Sequence, residues 1–385
     1  MPRAMVVAAV FIVTMGNAML YAIVGPFVRD AGLTEFHAGV VFSLSAVLFF
    51  LGSPIWGRLA DRWGRRPVIM AGLIGAAVSF LLFAAVFSIG GNSGIDSVSV
   101  FVALLAARAI YGVLSCGVQP AAVAYMADIT SHANRSAGAA VVGAWVGLAS
   151  IAGPAGAALL VGFGFAVPLL GAGALAVLAA ALSFVFLHDV SRTSSGATVA
   201  GHAPGGSMTP YVIVAVATYL ALSVLQPTTA FYIQDVFDLD AALAARHAGV
   251  ASTIFAASAF VVQAWAVPAF RFTPRTLLLM GPPVCLLGIA GWLLAPNLAL
   301  LFVALGMFGV GFGLTQPGLM AGASLAAGKD KQGVAAGYLQ AAGAGAWILG
   351  PLVGTALYPL ALRGPLYLAA AMMVLGSLGF LRRRD

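Results

Sequence analysis

Long apolar runs without a charged residue occupy most of this 385-residue chain. A helix that crosses a bilayer needs roughly 20 consecutive apolar residues, so runs of this length indicate membrane spans. The first run is long for a signal-peptide core and lacks a convincing cleavage site, so it is interpreted as a span. Runs that each predict one span are Ala4–Val28 (span 1), Ala38–Gly57 (span 2), Pro67–Ile95 (span 3), Ser97–Ala127 (span 4, interrupted only by Arg108), Ala203–Gln234 (span 7), Ala248–Phe270 (span 8), Gln332–Leu362 (span 11) and Gly364–Leu381 (span 12).

Two further runs are about twice as long as one span requires. Ser136–Leu187 contains Gly162-Phe163-Gly164, and Thr276–Gly328 contains Pro296-Asn297. Both short segments are typical of turns. Splitting the runs there gives spans 5, 6, 9 and 10. The sequence therefore predicts an all-α membrane protein with twelve transmembrane helices.

The composition excludes most soluble functions. The chain is 62% hydrophobic and 8% charged, with a mean hydropathy of +1.05, whereas a soluble domain carries about 25% charged residues. The net charge of +7 lies in loops, so it favours the anionic membrane surface and not nucleic acid as a partner. Cys116 and Cys285 lie within apolar runs and predict neither a disulfide framework nor a metal site. No cofactor is expected.

The basic residues predict which side of the membrane each loop faces, because cytoplasmic loops are enriched in Lys and Arg. With the N-terminus inside, 14 of the 18 Lys and Arg residues fall on one side, and Arg108 lies within span 4. We therefore expect both termini to be cytoplasmic. The 14 residues are Arg3, Arg58, Arg62, Arg65, Arg66, Arg135, Arg192, Arg271, Arg275, Lys329, Lys331 and Arg382–Arg384.

A segment rich in Ser, Thr, Gly and Pro lies between spans 6 and 7 and is typical of a flexible linker. It predicts an N-terminal six-helix bundle over residues 1–188, a cytoplasmic linker over residues 189–210 and a C-terminal six-helix bundle over residues 211–385.

Short motifs recur in the same order in the two halves. In each half a glycine precedes a Gln-Pro pair by seven residues, and a Gly-Pro pair follows that glutamine by 34 residues. The tetrapeptide His-Ala-Gly-Val opens both span 2 and span 8. These matches predict a duplicated six-helix unit, and such halves usually enclose a central path. The matched residues are Gly112, Gln119, Gly153 and Pro154 in the first half and Gly309, Gln316, Gly350 and Pro351 in the second.

Three motifs resemble those of the major facilitator superfamily, in particular its twelve-span drug:proton antiporter branch. Gly57–Arg66 resembles the signature of the loop between spans 2 and 3. Arg108–Gly112 resembles the span 4 signature, in which an arginine precedes a glycine by four residues. Gly143, Gly147 and Gly153–Gly156 resemble the antiporter signature of span 5. The resemblance implies a fold of two pseudo-symmetric six-helix bundles in a bacterial inner membrane, a monomer, and a secondary active exporter that exchanges drugs or a secreted metabolite for protons.

Residues of these motifs are interpreted as gating elements. Gly57 and Gly64 allow close helix approach and a tight turn, and the Asp61 carboxylate can face the positive N-terminus of another helix. The resemblance indicates span 11 as that helix. An alternative is that the arginines only fix topology. The gating candidates are Gly57, Asp61, Arg62, Gly64, Arg65, Asp128, Gly153, Pro154 and Gly156.

Arg108 is the strongest candidate for a substrate contact. A charge at its depth in a span costs at least a few kcal/mol unless it is paired or hydrated, so a functional role is the default. Tyr111, Ser115 and Gln119 are expected to share its helix face. A structural arginine bonded to carbonyl groups is the alternative. The substrate-binding candidates, chosen from polar residues of spans 1, 4, 7, 10 and 11, are Asn17, Tyr21, Arg108, Tyr111, Ser115, Gln119, Gln226, Thr229, Gln316 and Gln340.

Proton coupling lacks an obvious carboxylate, because none of the eleven acidic residues lies near the middle of a span. Asp30, at the outer end of span 1, is the coupling candidate, with Arg108 set electrostatically by substrate. The absence of a mid-span acid favours an anionic or zwitterionic substrate over a simple cation.

One other functional class remains open, and an enzyme is not expected. An importer or uniporter of a polar nutrient or organic anion would use the same fold. An integral-membrane enzyme would need converging nucleophiles, histidines or carboxylates, and the five histidines are scattered through loops and helix ends.

Overall fold

The computed structural model describes residues 2–89, 96–130, 135–188, 208–328 and 331–381, and within these ranges it is helical and contains no strand. Several residues with predicted roles lie outside these ranges: Arg192, Lys329, Arg382–Arg384 and most of the linker. The spans are Pro2–Asp30 (1), Glu35–Trp63 (2), Arg65–Ile89 (3), Ser97–Asp128 (4), Arg135–Leu160 (5), Ala166–Phe186 (6), Thr209–Val236 (7), Ala241–Phe270 (8), Pro274–Leu294 (9), Leu298–Ala327 (10), Gln332–Leu357 (11) and Gly364–Leu381 (12).

The predicted all-α fold with twelve spans is confirmed. Eleven of the described helices are long and apolar enough to cross a membrane. Span 11 is long enough at 26 residues, but its Gly, Ala and Gln residues lower its hydropathy.

Both predicted breaks are present. A 3₁₀ turn at Val161–Phe163 ends at Gly164, whose φ of +124° favours glycine. The Asn297 side chain accepts a hydrogen bond from the backbone N of Leu300 at 3.0 Å and caps span 10.

Two spans contain local departures from α-helical geometry. Span 4 changes to a 3₁₀ turn at Ser115–Gly117, and span 8 contains a π-helical turn at Val262–Ala266. Such interruptions frequently mark functional segments. The start of span 4 is capped by Asp96, which accepts from the backbone N of Ser99 at 2.6 Å. This hydrogen bond holds the pKa of the Asp96 carboxyl below its usual value.

Contacts divide the chain into two units, each described by itself. The first unit comprises Met1–Ser195 and Asp238–Gly249. Within it, span 1 packs against span 5, and span 3 packs against spans 4 and 6. Spans 1 and 3 are its most buried helices. The start of span 8 belongs to this unit because Gly249 lies against the carbonyl oxygen of Pro154. The bundle and linker boundaries inferred from the sequence remain a prediction.

The second unit comprises Gly196–Phe237 and Val250–Asp385. Within it, span 9 packs against span 10, and span 7 packs against spans 11 and 12. The Ser223 hydroxyl donates to the carbonyl oxygen of Ala346 at 2.8 Å and joins spans 7 and 11.

The repeated glycines make equivalent contacts in the two units. A Cβ atom at Gly153 of span 5 would lie 2.4 Å from the Met15 carbonyl oxygen of span 1, and one at Gly350 of span 11 would lie 1.9 Å from Ser223 Oγ of span 7. Likewise, Gly112 of span 4 contacts span 2, and Gly309 of span 10 contacts span 8. Each glycine is needed for close approach of the same pair of helices in its own half.

Candidate functional site

Arg108 lies in the helical part of span 4 and is only 2% exposed. Its guanidinium carbon lies 5.4 Å from the ring centre of Phe42 and 5.0 Å from that of Tyr111. The Tyr21 ring stacks on Phe42 with centroids 4.2 Å apart and planes 9° from parallel. Spans 1, 2 and 4 thus place three aromatic rings around one buried cation, and cation–π attraction stabilises this charge. Arg108, Tyr21, Phe42 and Tyr111 are called the Arg108 cluster below.

The hydrogen bonds of Arg108 are incomplete. Its guanidinium donates to the Tyr21 hydroxyl oxygen, while Nε and Nη1 are buried without a hydrogen-bond partner among the described residues. The Asn17 Oδ1 atom of span 1 is also buried and without a partner. The alternative of an arginine whose nitrogens are all bonded to carbonyl groups is therefore not what the structure contains.

Tyr111 has both a structural and a candidate site role. Its hydroxyl donates to the Val13 carbonyl oxygen at 3.3 Å, which ties span 4 to span 1. Its ring meanwhile lies next to the Arg108 guanidinium. The hydroxyl is therefore used within the fold, and the ring face is what Tyr111 contributes beside the cation.

Ser115 and Gln119 do not join Arg108 as expected. The Ser115 hydroxyl donates to the Gly72 carbonyl oxygen of span 3 at 3.0 Å. Gln119 follows the 3₁₀ turn and is exposed. For Gln119 the physical reason is the turn, because three residues per turn replace 3.6 and rotate the following side chains away from the face that Arg108 occupies. Ser115 is the first residue of the turn, and its hydroxyl is engaged by span 3.

The second unit contains a separate polar pair. The Tyr219 hydroxyl of span 7 donates to Gln316 Oε1 of span 10 at 2.8 Å. The Thr229 hydroxyl donates to a carbonyl oxygen of its own helix at 2.8 Å, Gln226 is half-buried, and Gln340 of span 11 is exposed. The structure thus joins Gln316 to Tyr219 but groups none of the other three with that pair.

The sequence did not predict that Phe42 lies beside Arg108. It is one of 24 phenylalanines, and its position in an apolar run carries no local signal. Only the packing of span 2 against spans 1 and 4 identifies it.

At the end of span 2, charged residues form a network within the first unit. Arg65 Nη1 lies 2.5 Å from Asp61 Oδ1, and Arg65 Nε lies 3.5 Å from Asp128 Oδ2. The Asp128 side chain is 8% exposed, whereas that of Asp61 is 70% exposed. Gly64, with φ +104°, makes the turn that brings Arg65 into place. The network therefore joins the ends of spans 2, 3 and 4, while the contact of Asp61 with span 11 stays a prediction.

Two other residues of this motif differ in their contacts. Gly57 does not provide the expected close approach, because a Cβ atom there would meet nothing within 4 Å. The helix continues past Gly57 with open space at that position. Arg62 is exposed, whereas Arg66 donates to the Phe184 carbonyl oxygen of span 6 at 2.6 Å.

Gly153 and Gly156 of span 5 pack tightly, as predicted for this motif, whereas a Cβ atom at Gly143 would meet nothing within 4 Å. Gly153 contacts the span 1 backbone, and a Cβ atom at Gly156 would lie 2.6 Å from Met19 Cε of span 1. The carbonyl oxygen of Pro154 would lie 2.7 Å from a Cβ atom at Gly249.

Asp30 is exposed at the end of span 1. Its neighbour Arg29 pairs with Glu35 at 2.5 Å, and Asp30 instead experiences the charge of Asp240, which caps the start of span 8 through the backbone N of Leu243 at 2.8 Å. Asp30 therefore lies near another acid, at the opposite end of span 1 from Arg3.

The described residues contain no group of three or more His, Cys, Asp or Glu side chains that could hold a metal ion. Cys116 and Cys285 are buried free thiols.

Comparison with known proteins identifies the family. The family model described as Major Facilitator Superfamily matches residues 6–351. The chain belongs to the Major Facilitator Superfamily. It is therefore a multi-pass membrane transporter of small molecules, and the resemblance inferred from its motifs is confirmed.

Its relatives include drug resistance proteins. Tetracycline resistance protein, class C, of Escherichia coli is 28% identical over 370 residues, which are 90% of this chain and 87% of that protein. Quinolone resistance protein NorA of Staphylococcus aureus (strain MSSA476) is 24% identical over 379 residues, 95% and 92% of the two chains. Multidrug resistance protein 2 of Bacillus subtilis (strain 168) is 29% identical over 180 residues, which are 47% of this chain and 42% of that protein.

Solved superfamily structures share the fold. A bacterial homolog of the human lysosomal transporter Spinster, inward-facing and occupied, has a TM-score of 0.73 at 14% identity and covers 98% of this chain and 91% of its own. The human organic anion transporter MFSD10 (TETRAN) has a TM-score of 0.68 at 20% identity, with 99% and 98% covered. At these identities the likeness concerns the fold alone.

Proposed function

We propose that this superfamily member exports small amphipathic molecules, drugs or a secreted metabolite, by alternating access and in exchange for protons. We place it in a bacterial inner membrane with both termini in the cytoplasm. The observation that carries the proposal is the likeness to two resistance proteins, for tetracycline and for quinolones, over about nine tenths of the chain.

The Arg108 cluster supports a polar binding point in an otherwise apolar bundle. Small-molecule sites combine apolar and aromatic walls with a few polar groups that fix orientation. Phe42, Tyr21 and Tyr111 supply the aromatic surface, and Arg108 and Asn17 supply polar atoms with unused hydrogen-bonding capacity.

The charge distribution supports the orientation, and the Asp61–Arg65–Asp128 network supports a gate. Positively charged loops remain in the cytoplasm, and the network joins the ends of spans 2, 3 and 4, so movement of these ends would break it. Thiol labelling of an Arg58→Cys variant tests the orientation, because both native thiols are buried. Labelling from the outside of intact cells would refute it.

The function is tested with purified protein in liposomes under an imposed pH gradient. The transported probes are tetracycline and norfloxacin, a quinolone, because two relatives are named as tetracycline and quinolone resistance proteins. With the protein inserted inside-out and the lumen acidic, we expect accumulation that collapses when an ionophore removes the gradient. Uptake indifferent to the gradient rejects proton exchange.

Variants make this test specific to the site. Arg108→Ala should abolish transport, and Arg108→Lys should retain a little because it keeps the charge. Arg58→Gln removes one exposed charge from the same unit and should transport normally. An active Arg108→Ala protein would exclude the cluster as the binding point.

Import or uniport of an organic anion is the second candidate. It is favoured by Arg108 together with the absence of acidic residues from the middle of the spans. Movement of substrate down its own gradient, with no response to pH, would select it.

A further inference from the structure

We propose that the cluster of Tyr21, Phe42, Arg108 and Tyr111 binds the anionic head group of the transported molecule, a carboxylate joined to an aromatic body. The inference rests on the proposed transport of small amphipathic molecules and names their chemical class. All four residues belong to the first unit.

The charge of Arg108 requires a counter-ion. A guanidinium stays protonated in proteins, and this one is 2% exposed. In the part of the chain that the structure describes, no Asp or Glu pairs with it. A buried charge of this kind is strongly destabilising unless an opposite charge accompanies it. A bound anion supplies that charge.

The free donors of Arg108 specify the kind of anion. Nε and Nη1 carry three of the five N–H groups of the side chain, and both nitrogens lack a partner. Two or more N–H donors suit the oxygens of a carboxylate, since charge-assisted hydrogen bonds are the strong ones. A cationic molecule would be repelled by the Arg108 guanidinium.

The rings beside Arg108 specify the body attached to the anion. Phe42 and Tyr111 lie 5.4 and 5.0 Å from its guanidinium carbon, and Tyr21 stacks on Phe42 at 4.2 Å. Because Tyr21 and Phe42 already stack on each other, a flat apolar group would pack against ring edges, the T-shaped arrangement that aromatic pairs also favour. The unpartnered atom of Asn17 is Oδ1, an acceptor, so this residue offers no hydrogen bond to a carboxylate. A chloride ion would satisfy the charge but would make no use of these surfaces.

The test uses three probes with one body and different heads: 2-naphthoate, 2-naphthamide and 2-naphthylmethylammonium. Binding to the purified full-length protein in detergent is measured by thermal shift and by titration in low salt. We expect naphthoate to bind at least about tenfold more tightly than the amide, the effect of one charge-assisted hydrogen bond, and the amine not to bind. Equal affinities for acid and amide, or no binding of naphthoate, would overturn the inference.

Chloride distinguishes the two sources of negative charge. If chloride alone stabilises the protein as well as naphthoate does and displaces it fully, the site holds an inorganic ion and the head-group proposal is wrong. Retained naphthoate binding in chloride supports it.

Variants assign the binding to the cluster. Arg108→Gln should abolish the preference for acid over amide, and Arg108→Lys should keep a weakened preference. Arg58→Gln, which also removes one positive charge, should bind as the wild type does. A preference unchanged in Arg108→Gln would overturn the assignment; if this variant does not fold, Arg108→Lys and the wild-type head-group comparison decide.

Binding is measured without a gradient, so its outcome is independent of export. Selective naphthoate binding without gradient-driven transport leaves the head-group inference standing and removes export. Gradient-driven transport of neutral molecules, with no preference for the acid in binding, supports export and rejects the head-group inference.

Discussion

A single methyl group added at Gly153 should destabilise the first unit. In the structure, the Cβ atom of an alanine there would lie 2.4 Å from the Met15 carbonyl oxygen and 2.8 Å from Ala18 Cβ. The backbone carbonyl cannot rotate away as a side chain can. Because ordinary contact begins at 3.4 Å, spans 1 and 5 must separate by 3.4 − 2.4 = 1.0 Å.

The magnitude follows from two opposing effects. Overpacking of a close-packed contact costs about 1–3 kcal/mol, while alanine gains up to about 1 kcal/mol over glycine in helix propensity. Gly143 lies in the same span, and a Cβ atom there would meet nothing within 4 Å. Gly143→Ala therefore receives the gain without the clash, and the free energies of unfolding of the two variants should differ by about 1–3 kcal/mol.

The assay is reversible unfolding of both variants and the wild type in mixed micelles of mild detergent and SDS, followed by far-ultraviolet circular dichroism. Gly153→Ala should unfold at a lower SDS fraction than Gly143→Ala, with the wild type above Gly153→Ala. Equal midpoints for the two variants would show that spans 1 and 5 do not approach as described. Gly350→Ala extends the test, since its methyl group would meet Ser223 of span 7.

Three other substitutions test particular contacts. Asp61→Asn should cripple turnover in liposomes while expression stays near normal, because only its pair with Arg65 is weakened; normal turnover would remove the gating role. Asp30→Asn should eliminate the dependence of transport on the pH gradient if Asp30 couples protons, and unchanged coupling excludes it. Tyr219→Phe should lower the free energy of unfolding by about 0.5–1.5 kcal/mol, because it leaves Gln316 without its donor; unchanged stability in SDS titration would show that the bond contributes nothing.

Much of the fold could be predicted because lipid imposes simple rules on sequence. A span must be apolar over its length, so the apolar runs located every helix, and Gly164 and Asn297 marked the turns that divide the double-length runs. The interruptions of spans 4 and 8 could not be predicted, because 3₁₀ and π turns depend on packing against neighbouring helices and not on hydropathy.

The candidate site was predictable only in part. Arg108 stands out as a charge within an apolar run, and Tyr21 and Asn17 were found as polar residues on one face of span 1. Gln119 was assigned to the same site by helical periodicity, which fails once the 3₁₀ turn changes the rotation per residue. Periodicity also does not reveal that the Ser115 hydroxyl donates to the Gly72 carbonyl oxygen of span 3. Phe42 was missed because aromatic residues are ordinary in a span.

The hydrogen bonding of Arg108 differs from that of several buried threonines. Thr228, Thr315 and Thr355 each donate to a carbonyl oxygen of their own helix, so these hydroxyls stabilise single spans at no cost. Of the charged residues that the structure describes, Arg108 is the most buried, at 2% exposed, and its Nε and Nη1 atoms have no hydrogen-bond partner. Sequences break the local rules of their fold mainly at functional sites. The Nε and Nη1 donors of Arg108 remain available to a transient partner, and the proposed binding point depends on them.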